Sequence, residues 1–433
     1  MKKILLTFLF LVFCVSAAAN PVNFREARTI AQNWTIILRT NFHENVTLEA
    51  GTGREIIKEN KTVAYVFSYK PTGFVIIAAE DYLPPVKFYT TTFDFDQHDR
   101  AVKFQDTLFR NLEKIIKEVD RRKLDIDRSF GVENREFFQF LRGYHKFLQT
   151  RPTAQTQEVG PLLRTRWTQT GVENLKCPVI EGYRAPTGCV ATAIAQIMKY
   201  HEFPGRGRGN HSYTLHNYNI PLSADFDHEY DWNNMLDYYA HENVGTEPER
   251  EAISTLMYDV GVALEMVYTP HYSTVNPMLA VDALPKYFKY SNEIGYIYRF
   301  GYTDTEWCGL AKDQIDQGLP VAFTLSGSPD GGHECVIDGY RIVNQSRTFH
   351  INFGWHGLDD GYYSLNEVLD FAYLPAQGFI LNMKPPHYRY IKAPGNISAV
   401  CYKNQSLLQT EYHAHITWDE TPTGDNNIDK YIV

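Results

Sequence analysis

Residues 185–200 have the sequence Ala185-Pro-Thr-Gly-Cys-Val-Ala-Thr-Ala-Ile-Ala-Gln-Ile-Met-Lys-Tyr200. A turn of small residues leads directly into an apolar segment of good helix formers, so the pattern predicts a helix that begins at Cys189. The unpaired N–H groups and the positive dipole end of a helix N-terminus favour a thiolate. A buried core cysteine is the commoner fate of a free thiol. Because Gly188 leaves room for a substrate backbone, we interpret Cys189 as a candidate nucleophile.

A histidine and an asparagine follow far downstream. His333 stands where the flexible stretch Ser326-Gly-Ser-Pro-Asp-Gly-Gly332 becomes a predicted strand, so it combines a rigid base with access to solvent. Such a histidine can take a thiol proton and return it to a leaving amine. A predicted hairpin turn at Asn344-Gln-Ser346 returns Asn352 and Trp355 to its side. An amide or an indole in that place can orient and cover the imidazole.

A side-chain amide upstream of the cysteine completes the predicted site. Gln169, in Trp167-Thr-Gln169, can donate to a developing oxyanion together with the backbone N–H of Cys189. Each candidate residue has an ordinary structural explanation when it is taken alone. The order in the chain, a cysteine, then a distant histidine, then an asparagine, is that of papain-like cysteine peptidases and favours catalysis.

The remaining cysteines fit neither a disulfide framework nor a metal site. Of six cysteines, Cys14 lies in a predicted leader, and the odd number that remains leaves at least one thiol unpaired. The sequence has no CxxC pair and no Cys/His cluster with the spacing of zinc ligands. We therefore expect no metal and no organic cofactor.

Composition limits the class of protein. The net charge of −9 and the lack of a basic patch argue against a nucleic-acid partner. Lys2 and Lys3, the apolar run 4–15 and the small residues Ala17-Ala-Ala19 predict a signal peptide over residues 1–19. We therefore expect a secreted or cell-surface-associated protein. The length of 433 residues predicts two or three domains.

The first predicted domain covers residues 20–157 and is α+β. A helix begins near Asn23, strands at 63–69 and 73–79 form a hairpin, and amphipathic helices follow at 104–122 and 136–148. A polar stretch, 151–160, is the predicted linker and the region where activation cleavage is expected.

The second predicted domain, 158–385, holds the candidate chemistry. Helices are expected around Cys189 and at 248–267, and strands at 319–325, 334–343 and 347–353. A third unit, 386–433, resembles the start of a fibronectin-III-like β-sandwich but is too short to complete one. It is either the beginning of a module that continues or an added pair of strands.

These motifs jointly resemble the streptopain family of secreted bacterial cysteine peptidases, peptidase family C10. The likeness is strongest to the thiol protease/haemagglutinin members of oral Bacteroidetes. The motifs that carry it are Trp167-Thr-Gln169, Pro186-Thr-Gly-Cys189, Gly332-His333, His350-Ile-Asn-Phe-Gly-Trp355 and, in the first domain, Gly73-Phe-Val-Ile-Ile-Ala-Ala-Glu-Asp81.

The resemblance implies an α+β, papain-like catalytic domain preceded by an α+β inhibitory prodomain. It implies that Cys189 is the nucleophile, His333 the general base and acid, and Gln169 an oxyanion donor. Asn352 would orient the histidine and Trp355 would support the site. It further implies a bacterial zymogen whose partners are protein or peptide substrates and its own prodomain. Host proteins and a host cell surface are candidate partners.

Two departures keep alternatives open. Phe353 stands where the family usually has a tryptophan, and Glu334-Cys335 replaces a small residue followed by an aromatic one. They motivate an alternative function, an adhesin or haemagglutinin with a weak or degenerate peptidase unit. Acyl transfer to an amine is a third hypothesis, because a Cys–His pair can serve both reactions.

Overall fold

A computed structural model describes residues 20–95, 109–110, 112–117, 119, 133–150, 156–240, 244–328, 331–344, 346–366, 368, 376–389, 398–405 and 410–417. The helices are α1 (Phe24–Asn41), α2 (Glu133–Thr150), α3 (Cys189–His201), α4 (Glu247–Ala263), α5 (Ala280–Phe288) and α6 (Asp304–Asp316). The strands of the first part are β1 (Thr47–Leu48), β2 (Arg54–Lys58), β3 (Lys61–Lys70), β4 (Phe74–Ala78), β5 (Val86–Thr90) and β6 (Thr156–Val159).

The second part adds short hairpins and long sheet strands. Its strands are β7 (Val179–Ile180), β8 (Tyr183–Arg184), β9 (Asn210–Leu215), β10 (Ile220–Asp225), β11 (Val267–Tyr268), β12 (Ser273–Thr274), β13 (Gly295–Tyr298), β14 (Val321–Ser328), β15 (Gly331–Val343), β16 (Ser346–Asn352), β17 (Gly361–Tyr363), β18 (Gly378–Leu381), β19 (Ser398–Gln405) and β20 (Thr410–Thr417). The predicted leader and linker residues 151–155 lie outside the described residues, as does most of the helix predicted at 104–122.

The N-terminal domain begins with a capped helix. Asn23 accepts a hydrogen bond from the backbone N–H of Glu26 (3.0 Å), and the Glu26 carboxylate accepts one from the backbone N–H of Asn23 (3.1 Å). This capping box satisfies N–H groups that the first helical turn leaves unpaired. Trp34 on the buried face of α1 contacts the ring of Tyr89 in β5, with ring centroids 5.2 Å apart. The helix therefore covers the sheet formed by β3, β4 and β5.

One twelve-stranded sheet joins the two predicted domains. Its order is β1-β3-β4-β5-β17-β16-β15-β14-β18-β13, with β2 beside β3 and β6 beside β15. The junction is the antiparallel pairing of β5 with β17, in which Tyr89 faces Tyr362 and Phe88 faces Tyr363. The rings of Tyr89 and Tyr362 are stacked, with centroids 5.0 Å apart. The N-terminal domain thus binds the catalytic sheet by adding strands to its edge.

The two faces of the catalytic sheet are covered by different elements. On one face α6, through Trp307, packs against Phe379 of β18 and belongs to the same apolar core as the N-terminal domain. On the other face α3, α4 and α5 form a second core that includes Val336 of β15. Residues 190–198 of α3 are all buried, so the helix that begins at Cys189 passes through the centre of this core.

The predicted elements agree with most of the observed ones. The hairpin over 63–79 is confirmed by the pairing of β3 with β4, and the helix at 136–148 by α2. The helix predicted at 248–267 ends earlier, at Ala263. Part of the predicted linker forms β6, which pairs with β15. The predicted boundary between residues 157 and 158 therefore falls inside a strand.

The C-terminal segment forms one antiparallel hairpin in the described part of the chain. Ser398 of β19 pairs with Thr417 of β20, and the register continues to Gln405 and Thr410. The expected fibronectin-III-like sandwich stays a prediction. Among the residues described, no helix is long and apolar enough to span a membrane.

Candidate active site

Cys189 is the first residue of α3, as the sequence predicts. Gly188 before it has φ +88°, a conformation that residues with a side chain rarely adopt. A Cβ at this position would stand 2.7 Å from the sulfur of Met266. The turn is closed by a hydrogen bond of 3.1 Å from the Thr192 hydroxyl to the Gly188 carbonyl. Glycine at position 188 therefore allows the turn that places Cys189 at the first position of the helix.

The thiol faces the strand that carries the histidine. Hydrogen bonding to backbone N–H groups of Glu334, Val190 and Cys189 favours the thiolate, and the first of these comes directly after His333. Burial outweighs this stabilisation and raises the pKa of the Cys189 thiol to about 11. The nucleophile is therefore a neutral thiol in this structure.

His333 lies in β15 with 7% of its surface exposed. Its Nε2 is 2.9 Å from the carbonyl oxygen of Phe353, so Nε2 carries the proton and donates. Burial lowers the pKa of this imidazole to about 4, and the ring is neutral in this environment. With the proton on Nε2, Nδ1 is the unprotonated nitrogen of the neutral ring.

Trp355 lies against the imidazole of His333. The ring centroids of Trp355 and His333 are 4.5 Å apart at an angle of 37°. Phe353 stacks on Trp355 at 4.9 Å and lies 6.0 Å from His333. Phe353 is buried. Its carbonyl accepts a hydrogen bond from the His333 imidazole and its ring packs beside Trp355, so it covers part of the histidine that a second indole would cover.

Asn352 is adjacent to the site, but its amide is engaged elsewhere. Its Oδ1 accepts from the side chain of Gln196 and from the backbone N–H of Gly354, each at 3.0 Å. Its Nδ2 donates to the carbonyl of Thr165 at 2.8 Å. In this structure the Asn352 amide connects α3 with β16. The carbonyl of the next residue, Phe353, accepts a hydrogen bond from His333.

Gln169 is positioned next to the nucleophile's turn. Its carbonyl accepts a hydrogen bond of 2.9 Å from the backbone N–H of Thr187, two residues before Cys189. The residue is half-buried. The structure thus places the Gln169 backbone beside the turn before Cys189, and Trp355 against His333.

Two supporting residues were missed in the sequence. Gln196 is completely buried in α3, where it joins Asn352 to the backbone N–H of Trp167. A lone amide two turns after Cys189 in an apolar helix was an available signal. Asp360 accepts a hydrogen bond of 2.9 Å from the N–H of Phe353, the residue whose carbonyl accepts a hydrogen bond from the His333 imidazole. Its sequence context, a loop carboxylate, carried no such signal.

No group of three or more His, Cys, Asp or Glu residues in the described part of the chain could hold a metal ion. The thiols of Cys177, Cys189, Cys308 and Cys335, which lie in the described part of the chain, form no disulfide. The described site therefore offers a thiol, an imidazole and amide donors, which are the groups that acyl-transfer chemistry needs.

Comparison with known proteins agrees with this geometry. Residues 167–363 match the Peptidase C10 family, and residues 19–116 match the Spi protease inhibitor family. Streptopain of Streptococcus pyogenes is 29% identical over 381 residues, covering 81% of this chain and 88% of the relative. The thiol protease/hemagglutinin PrtT of Porphyromonas gingivalis is 27% identical over 384 residues, covering 84% of this chain and 41% of the relative.

A solved structure resembles both domains together. Prevotella intermedia prointerpain A matches with a TM-score of 0.58 and 27% identity, over 77% of this chain and 98% of that structure. The α+β fold expected from the sequence, an inhibitor domain followed by a cysteine peptidase domain, is confirmed. The chain belongs to the Peptidase C10 family and is a cysteine-type peptidase with an N-terminal inhibitor domain, related to members from oral Bacteroidetes.

Proposed function

We propose that this chain is an exported bacterial cysteine endopeptidase made as a zymogen, with Cys189 and His333 as its catalytic dyad. The observation that carries the proposal is the position of the Cys189 thiol. It lies at the N-terminus of α3 and against the backbone N–H of Glu334, beside the histidine. Export and a bacterial source are inferred from the predicted signal peptide and from the bacterial relatives.

The proposed reaction proceeds through a thioester. Nδ1 of His333 takes the thiol proton, and the sulfur attacks the peptide carbonyl to form a C–S bond. The backbone N–H of Cys189 and the amide of Gln169 stabilise the oxyanion. The imidazolium then gives its proton to the leaving amine as the C–N bond breaks. Water, deprotonated by His333, hydrolyses the thioester and restores the thiol.

Trp355 supports this chemistry by its contact with the imidazole. A ring packed at 4.5 Å holds the histidine plane and limits access of water to the thiolate–imidazolium pair. Asn352 is proposed to act one step further away. Its amide fixes the end of β16, from which the Phe353 carbonyl reaches Nε2 of His333.

The N-terminal domain is proposed to hold the peptidase latent until cleavage near residues 151–160. It is attached through the pairing of β5 with β17 and through a shared apolar core. In this docked state the thiol and the imidazole are both neutral, because burial moves their pKa values in opposite directions. An active dyad needs the proton transferred, and removal of the domain is proposed to permit that transfer.

Labelling of the active site tests the proposal. The matured chain is treated with a thiol-directed epoxide such as E-64, and the adduct is mapped by mass spectrometry. We expect one adduct on Cys189, loss of labelling and of hydrolysis in Cys189→Ala, and unchanged behaviour in Cys308→Ser. Cys308 is the matched control, since it is the other partly exposed cysteine without a disulfide in the described part of the chain. Turnover by Cys189→Ala would refute the dyad.

Haemagglutination is the alternative function that a relative's name suggests. The word occurs in the name of PrtT, of which this chain covers 41%. Agglutination of erythrocytes by the Cys189→Ala variant, lost on deletion of residues 390–433, would support a binding role independent of peptidase activity.

A further inference from the structure

Glu334 is a buried carboxylate beside the nucleophile that the proposed mechanism does not use. Only 2% of its surface is exposed, and its backbone N–H stabilises the sulfur of Cys189. It follows His333 in β15, so its side chain points to the opposite side of the strand from the imidazole. A carboxylate in this place costs free energy unless it is paired.

A chain of hydrogen bonds satisfies one oxygen of this carboxylate. The hydroxyl of Tyr296 in β13 donates to Thr324 Oγ1 at 3.1 Å, and Thr324 donates to Oε2 of Glu334 at 2.7 Å. Gly378 in β18 makes room for this arrangement, because a Cβ there would stand 2.0 Å from the Tyr296 hydroxyl. The strands β13, β14 and β18 therefore each contribute a residue to the arrangement that accommodates Glu334.

The other oxygen has no hydrogen-bond partner in the described part of the chain. Oε1 of Glu334 is buried and unbonded, and no described cation forms an ion pair with the carboxylate. The groups that surround it, Cys189, Cys335 and Tyr296, carry no positive charge. Burial raises the pKa of Glu334 to about 8, which is the response of an acid that lacks a counter-ion.

Aromatic and thioether side chains connect the hydrogen-bond network of this carboxylate with the protein surface. Tyr296 packs edge-on against Tyr298, a residue that is half exposed. The hydroxyl of Tyr298 is 3.5 Å from the sulfur of Met278. Met278 follows β12, whose Ser273 donates to the carbonyl of Pro186 in the turn before Cys189. Tyr296, Tyr298 and Met278 thus form a series of contacts between the surface and the hydrogen-bond network of Glu334.

We propose that Glu334 is a specificity-determining residue whose free oxygen receives the cationic side chain of a substrate lysine or arginine. The residue recognised is one of the two on the acyl side of the scissile bond, because Glu334 adjoins the sulfur that attacks the carbonyl. Long basic side chains suit the site, since their methylene stems pack on Tyr298 and Met278 while the charge reaches the carboxylate. The proposal rests on the peptidase function proposed above and adds a preferred substrate class.

Peptide substrates that differ at one position test the proposal. The matured chain is assayed at neutral pH with peptides carrying arginine or norleucine, the uncharged counterpart of a lysine stem, at each of the two acyl-side positions. We expect kcat/KM to favour arginine about tenfold or more at one position, the range for a buried hydrogen bond to a charged group. Glu334→Gln should abolish most of this preference while norleucine peptides are still cleaved.

The control is Glu293→Gln, which removes the same charge at an exposed ion pair with Lys384. It should leave the preference unchanged. Glu334→Ala, with a smaller side chain, replaces Glu334→Gln if that variant does not mature. Hydrolysis without a basic preference, or a preference that survives both Glu334 variants, overturns this inference alone. Absence of hydrolysis with every peptide overturns the peptidase function itself.

Discussion

Arg341 holds the inhibitor domain to the catalytic sheet, and Glu44→Gln should weaken that attachment. The Arg341 side chain in β15 is 6% exposed. Its Nη2 donates to Glu44 of the N-terminal domain and its Nε to Glu158 of β6, each at 2.6 Å. The guanidinium also lies over the ring of Phe42, 4.8 Å from the ring centroid.

The expected magnitude follows from what Glu44→Gln removes and what it leaves. A hydrogen bond to a charged group contributes about 1.5–3 kcal/mol. Glu44 keeps 22% of its side chain exposed, so solvent screens part of the interaction. Arg341 retains Glu158 and is not left as an unpaired buried charge. We therefore expect a loss of about 1–2 kcal/mol, or about 5- to 30-fold in the docking equilibrium.

The assay measures how often the domain opens. The full-length chain is incubated with a thiol-directed epoxide, and the initial rate of Cys189 modification is followed by mass spectrometry. If the docked thiol is shielded and labelling occurs after opening, the rate is proportional to the opened fraction. Glu44→Gln should raise this rate about 5- to 30-fold.

Glu49→Gln is the matched control for this experiment. It removes the same charge from the N-terminal domain, at the exposed ion pair with Lys70 in the same domain (2.9 Å). Its labelling rate should equal that of the unmodified chain. If Glu44→Gln is labelled no faster, or if both variants are accelerated equally, the Arg341 contact does not hold the domain.

Three further predictions concern the support of the site, each measured by urea unfolding. Gly188→Ala should cost about 1–3 kcal/mol because φ is +88°, whereas Gly205→Ala, in open space, should stay within about 0.5 kcal/mol; equal effects would contradict the strain argument. Gln196→Ala should cost about 2–4 kcal/mol because it leaves Asn352 Oδ1 with one partner fewer and opens a cavity, and a neutral result would refute that role. Burial raises the pKa of Asp360 to about 7, so the folded state binds more protons than the unfolded state between about pH 4 and pH 7. The free energy of unfolding should therefore fall with rising pH in this range, and Asp360→Asn should reduce that slope. An unchanged slope would exclude Asp360 as the cause.

Much of the fold was predictable because its signals are local. The capping box at Asn23 and the small-residue turn before Cys189 each act within a few residues, and the structure has both helices where the patterns predict them. The order of cysteine, histidine and asparagine placed the candidate chemistry in the second domain. The structure agrees in bringing Trp355 against His333 and Gln169 next to the turn that precedes Cys189.

Contacts between distant segments were not predictable from those patterns. Tyr89 pairs with Tyr362 across the domain junction, and nothing local distinguishes the edge of one sheet from the edge of another. His333 donates a hydrogen bond to the backbone carbonyl of Phe353, whereas the amide of Asn352 donates to Thr165. Every residue type has a backbone carbonyl. Side-chain identity therefore carried no signal for it.

The ionisation of the site depends on burial, which is a property of the folded chain. The helix N-terminus at Cys189 predicted a stabilised thiolate, yet desolvation in the folded chain raises the thiol pKa instead. The same desolvation turns Glu334, a departure from the family pattern in sequence, into an acid without a counter-ion beside the nucleophile. Local sequence determines which groups are present and where helices and strands begin. Their charge and their partners depend on how far the assembled elements exclude water from them. The residues that exclude this water come from segments hundreds of positions apart in the chain.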